Sequence, residues 1–257
     1  MWLFDTAPAR HRIVSIQGQS NAFGLGPRSG ISNLSDATLI DYDDVAFPRV
    51  FIFNPATGDY ENLIIGTNNQ AYSSGENFGP EFGLAVRWTR EVPKGNLYLD
   101  KQIGDGQPIS YFQSGGEFFS TMLSRRTTAN AWLAANNVSP VNAGVAWVQG
   151  ESDAAQTQAY YEGALDTYMD SLVSSDPQIL TATSKQVIAQ MAVGTSLYSA
   201  DIVAAKAAYV SANSDVAKLV TFANHMNGDN LHLNAQGQVQ LGYDIFEQMF
   251  NKPHLTI

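Results

Sequence analysis

The chain has 257 residues, 44% hydrophobic and 15% charged, which is enough for one large α/β domain with a substantial core. Its net charge of −10 argues against an electrostatic grip on nucleic acid or anionic lipid. It contains no cysteine, which excludes disulfides, thiolate zinc sites and a cysteine nucleophile.

Met1 to Arg10 carries no long apolar run, so no signal peptide is expected, and no stretch approaches the ~20 apolar residues of a transmembrane helix. Ile13-Val14-Ser15-Ile16 is a β-branched, apolar run that reads as a strand. It leads into Gln17-Gly18-Gln19-Ser20-Asn21. A serine released at a strand end behind a glycine is where an α/β protein would place a nucleophile, with its own N–H facing a developing oxyanion. The same residues also suit a turn or helix cap. A Gly-rich loop follows from Gly24 to Asn33. Val50-Phe51-Ile52-Phe53 is a short strand closed by the turn Asn54-Pro55-Ala56-Thr57-Gly58-Asp59, and residues 61–77 read as loop.

Gly79-Pro80-Glu81 opens a helix, with proline in the first turn and a glutamate behind it. Asn96 to Leu99 is the next strand, and Gly104-Asp105-Gly106-Gln107-Pro108 a loop. A helix is expected from about Gly116 to Asn136. The strand Gly144 to Val148 ends in Gln149-Gly150-Glu151-Ser152-Asp153. Tyr161, Ala164, Leu165, Tyr168, Met169 and Leu172 then step at helical spacing. Gln186 to Met191 and Leu219 to Phe222 are further strands. Helices around Ile202 to Tyr209 and Val239 to Phe250 follow them. This alternation predicts an open, mostly parallel sheet of five strands with helices on both faces, in one domain. In such sheets sites form at the carboxyl ends of strands. Ser20, the stretch Gln149 to Asp153 and the stretch Asp229 to His232 all fall there.

A serine nucleophile needs a base, and the base needs a partner to fix its tautomer. Of the four histidines, His11 and His254 read as surface residues, while His225 and His232 share the loop after the last strand. Asp229 precedes His232 by three residues and can aim its carboxylate at Nδ1 from one tight turn. The alternative is a turn aspartate and a partly buried loop histidine.

Taken together, Gly18-Gln19-Ser20-Asn21, Gly79-Pro80-Glu81, Trp147-Val148-Gln149-Gly150-Glu151-Ser152-Asp153 and Asp229-Asn230-Leu231-His232-Leu233 resemble the SGNH/GDSL hydrolases. The branch they are similar to is the carbohydrate O-acetylesterases, the sialate O-acetylesterase and acetylxylan esterase group. The resemblance spans Ile13 to about Phe250. It implies a three-layer α/β/α fold of flavodoxin-like type. It implies Ser20 as nucleophile, His232 as base and Asp229 as the base's partner. It also implies an oxyanion hole from the Ser20 and Gly79 N–H groups and the Gln149 amide, supported by Asn21 and Glu151. The superfamily's Gly-Asp-Ser is Gly-Gln-Ser here, which weakens a lipase or thioesterase reading. The chain also lacks the Gly-x-Ser-x-Gly elbow of the α/β-hydrolases.

Other readings stand beside this one. Glu151 and Asp153 match a glycosidase acid/base pair in type, but two residues apart they better suit fixing a loop. Trp88, Trp132, Tyr160, Tyr161 and Tyr168 form either a sugar platform or core. Gly104-Asp105-Gly106 lacks the lysine and spacing of a phosphate cradle, and no residue set has metal-ligand spacing, so neither cofactor nor metal is expected. The expected partner is an acetylated carbohydrate, with no nucleic acid and no membrane insertion. A homo-oligomer, or attachment to a larger surface or virion assembly, stays open, as does a glycan-binding module on an esterase scaffold. The absence of cysteine fits work outside a reducing cytosol, and an extracellular, periplasmic or virion-associated setting is favoured without being fixed.

Overall fold

A computed structural model describes residues 10–175, 180–221 and 225–251. Its elements in chain order begin with β1 Arg12–Gly18, α1 Ser20–Phe23, β2 Gly26–Pro27, β3 Ala46–Asn54, β4 Asp59–Ile64 and β5 Asn77–Phe78. Then come α2 Pro80–Glu91, β6 Leu97–Ile103, α3 Glu117–Ala135, β7 Val141–Val148 and α4 Gln158–Ser175. The last are β8 Lys185–Ala189, α5 Ala200–Ala212, β9 Ala217–Val220 and α6 Ala235–Phe250. Short 3₁₀ turns lie between several of them. No helix among the described residues is long and apolar enough to cross a membrane.

The sheet has seven strands, not five, in the order β4-β3-β6-β1-β7-β8-β9. All pairings are parallel except β3 with β4. The five strands expected from the clearest apolar runs are the adjacent β6, β1, β7, β8 and β9. The short Val50 to Phe53 strand joins the same sheet, and β4 adds an antiparallel edge inside the stretch expected to be loop. In β4 the buried residues are Tyr60 and Leu63, a broken alternation. That pattern hides the strand from a period of two. β2 and β5 form a separate two-stranded pair. The expected Phe222 and Asn224 positions, and His254, lie outside the described residues.

Helices cover both faces. α2 and α6 pack on one side with Val14, Ile16, Ala146 and Val148. α3, α4 and α5 pack on the other with Val145 and Trp147. Consecutive β7 residues thus face opposite layers, as the pleat requires. Trp88, Tyr161 and Tyr168 are core residues, and Trp132 packs against Tyr60 and Tyr98. Of the five aromatics that sequence left between platform and core, only Tyr160 is exposed.

Candidate active site

The turn after β1 is fixed by backbone contact. Gly18 has φ +141°, and a Cβ there would meet Val148 O at 1.9 Å. Only glycine lets β1 end this close to β7. Gln19 N–H donates to Val148 O at 3.0 Å, and the Gln19 side-chain oxygen accepts from Gly150 N (3.3 Å) and Ser152 N (3.4 Å). The Ser20 turn and the Gln149–Asp153 loop are therefore tied together. Ser20 and Asn21 open α1, so their N–H groups have no intrahelical acceptor.

Ser20 is 7% exposed, and its Oγ lies 3.1 Å from His232 Nε2. His232 Nδ1 lies 2.6 Å from Asp229 Oδ2. With Nδ1–H donated to the carboxylate, Nε2 carries a lone pair that can accept a hydrogen bond from the Ser20 hydroxyl. The other Asp229 oxygen accepts from Leu231 N (2.9 Å) and His232 N (3.0 Å). Asn230, at φ +55°, makes this tight turn. Partial desolvation opposes ionisation of Asp229. The Leu231 and His232 hydrogen bonds outweigh it and hold the carboxyl below its ordinary range. His225 is outside this chain of contacts: its carbonyl accepts from Asn234 N.

Asn21 joins all three strand-end loops. Its Nδ2 donates to Glu151 Oε1 (2.9 Å) and Leu231 O (3.3 Å), and its Oδ1 accepts from Leu233 N (2.9 Å). Gln149, 1% exposed, is equally constrained. Its Nε2 donates to Asp153 Oδ2 and to Gln107 O (3.2 Å), and its Oε1 accepts from Tyr161 Oη (2.7 Å). Asp153 also accepts from Ile109 N at 2.7 Å. Burial raises its carboxyl pKa against these hydrogen bonds. One carboxylate oxygen of Glu151 and one of Asp153 therefore tie loops together.

Gly79, expected as an oxyanion donor, already has an acceptor within its own turn. Its N–H donates to Glu81 Oε1 at 2.7 Å. Glu81 and Lys101 are fully buried and paired at 2.9 Å, and Lys101 Nζ also reaches Phe23 O (2.8 Å) and Asn69 O (3.1 Å). A Cβ on Gly24 would sit 2.4 Å from the Gly79 backbone. The Gly-Pro-Glu stretch thus serves close approach of Gly79 to the end of α1, with Glu81 as the clamp. Sequence reading also missed Gln19, Lys101 and Lys206. Lys206 Nζ is buried behind Gly150, donates to Ala189 O at 2.8 Å, and is pushed down to about 8 by burial, against the pull of Glu151 and Asp153. A lysine on a helix gives no sign in sequence that it points inward.

The family model described as carbohydrate esterase, sialic acid-specific acetylesterase matches residues 10–251. No curated protein matches the sequence. Among solved structures, an Arabidopsis thaliana protein superposes with TM-score 0.69 at 17% identity, over 95% of this chain and 99% of that one. NanS gives TM-score 0.53 at 16% identity, over 86% and 79%. A carbohydrate acetylesterase from Xanthomonas citri gives 0.58 at 12% identity, over 93% of this chain and 57% of that one. At these identities the likeness is one of fold.

Proposed function

Since the chain belongs to the sialic acid-specific acetylesterase family of carbohydrate esterases, we propose that it is a serine esterase that removes O-acetyl groups from a glycan through Ser20, His232 and Asp229. The observation that carries this reading is the unbroken line of contacts from Ser20 Oγ through His232 to Asp229, at 3.1 and 2.6 Å. In this reading the sheet is of the SGNH-hydrolase type, with Gln149 where the wider superfamily has asparagine.

Ser20 Oγ attacks the acetyl carbonyl carbon as His232 Nε2 takes its proton. Asp229 stabilises the imidazolium and holds the ring. The carbonyl π electrons move onto oxygen, which the Ser20 N–H at the start of α1 receives. The tetrahedral intermediate collapses, and the C–O bond to the sugar breaks as His232 protonates the departing hydroxyl. Water, deprotonated by His232, then attacks the acetyl-serine and releases acetate. Gln149 assists if an oxyanion takes the place of Gln107 O on Nε2. The Gly79 N–H would likewise have to leave Glu81 Oε1 to join the hole.

The test is acetate release from acetylated glycans by the wild type and Ser20→Ala. The variant should lose roughly 10⁴-fold or more in kcat. Full activity in Ser20→Ala would refute the reading.

A further inference from the structure

Several large apolar side chains are exposed in the loops that follow the strands. Among the described residues they include Tyr72, Tyr111, Val193, Leu197 and Tyr198. Tyr72 is tied directly to the end of α1. Its N–H donates to Gly24 O at 3.2 Å, and its carbonyl accepts from Asn77 Nδ2 at 2.7 Å. Gln70 and Ser73, on either side, sit at φ +51° and +55°. Non-glycine residues pay for that conformation and keep it only where the surroundings impose it. The result is a pinned backbone presenting a ring that is 51% exposed. That ring meets half-buried Phe23 edge-on, with centroids 5.8 Å apart. Phe23 is three residues after Ser20 in α1, so the two side chains share one helix face.

The charge of these loops is one-sided. Segments 19–27, 65–79, 104–116, 149–157, 190–199 and 225–234 contain no lysine or arginine, but they carry Glu76, Asp105, Glu151, Asp153 and Asp229. Arg28, the first cation beyond the Ser20 turn, already donates to Asp43 Oδ1 and Gly75 O, both at 2.8 Å. Lys101 and Lys206 are buried.

We propose that Phe23 and Tyr72 form a stacking platform for an uncharged sugar ring of the acetylated glycan, so that the protein favours neutral glycans over those bearing a carboxylate. This rests on the esterase reading above and narrows its substrate class. With the rings at 88°, Phe23 braces the exposed Tyr72, whose face meets the C–H side of a pyranose at little entropic cost. A carboxylated sugar would instead need a cation that these segments do not supply.

The experiment compares the wild type, Tyr72→Ala and Tyr72→Phe on acetylated xylotetraose, O-acetylated N-acetylneuraminic acid and p-nitrophenyl acetate. In Tyr72→Ala the ratio of kcat/KM on the xylotetraose to that on p-nitrophenyl acetate should fall about tenfold or more, through KM, and Tyr72→Phe should restore it. The wild type should prefer the neutral glycan to the sialic acid ester. An equal loss on both substrates would show that the ring is only structural, and a wild-type preference for the sialic acid ester would remove the charge argument. Either result overturns the proposal. If the wild type releases no acetate from any substrate, the esterase reading falls, and calorimetric titration of the xylotetraose into Ser20→Ala and Ser20→Ala/Tyr72→Ala decides the platform. Binding lost with Tyr72 sustains it, and equal binding or none overturns it.

Discussion

Asn21 Nδ2 donates to Glu151 Oε1 across 2.9 Å and 130 positions of sequence, while the other end of the same amide accepts from Leu233 N. One side chain therefore sets the distance between the loop that carries Ser20, the loop that carries Gln149 and the loop that carries His232. Asn21→Ala leaves a buried N–H and a carboxylate oxygen without their partner, a cost of about 2–3 kcal/mol. For a chain of this length that lowers Tm by roughly 5–10 °C. The activity should fall further than this. A 1 Å shift between nucleophile and base is worth about 10² in rate, so kcat on a small acetyl ester should drop roughly that much with KM little changed. Thermal melts and steady-state kinetics on one preparation read both effects. Wild-type kcat would show that the three loops keep their spacing without Asn21.

His232 and His225 occupy one loop, but only His232 has Nε2 toward Ser20 and Nδ1 toward a carboxylate. His232→Ala should lose about 10⁴-fold in kcat, because members of such a triad act as a unit. His225→Ala should keep most of the activity, since the contact that places His225 is made by its backbone carbonyl with Asn234 N. Rates with p-nitrophenyl acetate separate the two. The reverse pattern would make His225 the base.

The features that sequence exposes are those whose residue type is tied to a local geometry. A glycine before Ser20, an aspartate three residues before His232 and apolar runs in β1, β6 and β7 can be read because the turn or the pleat demands them. The features it hides depend on partners far along the chain. Gly79 matches an oxyanion-donor motif, yet Glu81, two residues on, takes its N–H and links it to Lys101 and from there to Phe23. Nothing local marks Glu81 or Lys101 as fully buried, since charged residues on an amphipathic helix and a strand normally face water. β4 is hidden for a related reason: it is an edge strand, and its irregular register against β3 breaks the alternation.

Gly18→Ala tests the closeness of β1 and β7. The added methyl would sit 1.9 Å from Val148 O, at a φ of +141° that alanine avoids. Overlap with backbone cannot be relieved by a rotamer change, so the strand end has to move. The expected cost is above about 3 kcal/mol, in the exceptional range for a point change. Urea denaturation measures it. A loss under about 1 kcal/mol, ordinary for a point change, would mean that the turn can reshape around the methyl.

Lys206 gives a pH dependence of defined sign. Its ammonium is pushed down to about 8 when folded, from 10.5 when exposed, chiefly by burial. Below about pH 8 both states hold the proton, and the folded state bears the full cost of burying the charge. Between about pH 8 and 10.5 the unfolded chain keeps the proton that the folded chain has released, so stability from this group rises with pH. The difference in unfolding free energy between the wild type and Lys206→Met should therefore shift toward the wild type across that window, by about 2–3 kcal/mol. Denaturant melts of both proteins at about pH 7, 8, 9, 10 and 11 bracket that window and check it. A difference that stays flat would place the folded pKa near that of a free lysine.

Gln149 carries the last prediction, because its surroundings now fix what each substitution does. Its Nε2 faces the Asp153 carboxylate and Gln107 O, and its Oε1 faces the Tyr161 hydroxyl. Gln149→Ala removes a buried amide and leaves Asp153 and Tyr161 short of a partner. Gln149→Glu keeps the shape but sets a second carboxylate against Asp153 in a site that is 1% exposed at both residues. Two carboxylates at hydrogen-bond distance repel, so one shared proton binds them at a higher pH than it would a lone carboxylate. Burial already raises the pKa of Asp153, which favours that sharing. At about pH 8 Gln149→Glu should thus be less active than Gln149→Ala, although it is closer in volume, because negative charge stands where the oxyanion forms. Loss of one oxyanion donor costs about 10²–10³ in kcat, which sets the scale for Gln149→Ala. As the pH is lowered toward about 5 the carboxylate pair takes up its proton, and Gln149→Glu should gain on Gln149→Ala until the order narrows or reverses. The ratio of their kcat values on a small acetyl ester, measured from about pH 5 to 8, cancels the common titration of the base. Equal activity of wild type and Gln149→Ala would make the amide a loop residue only. A ratio independent of pH would show that the introduced carboxylate and Asp153 do not share a proton.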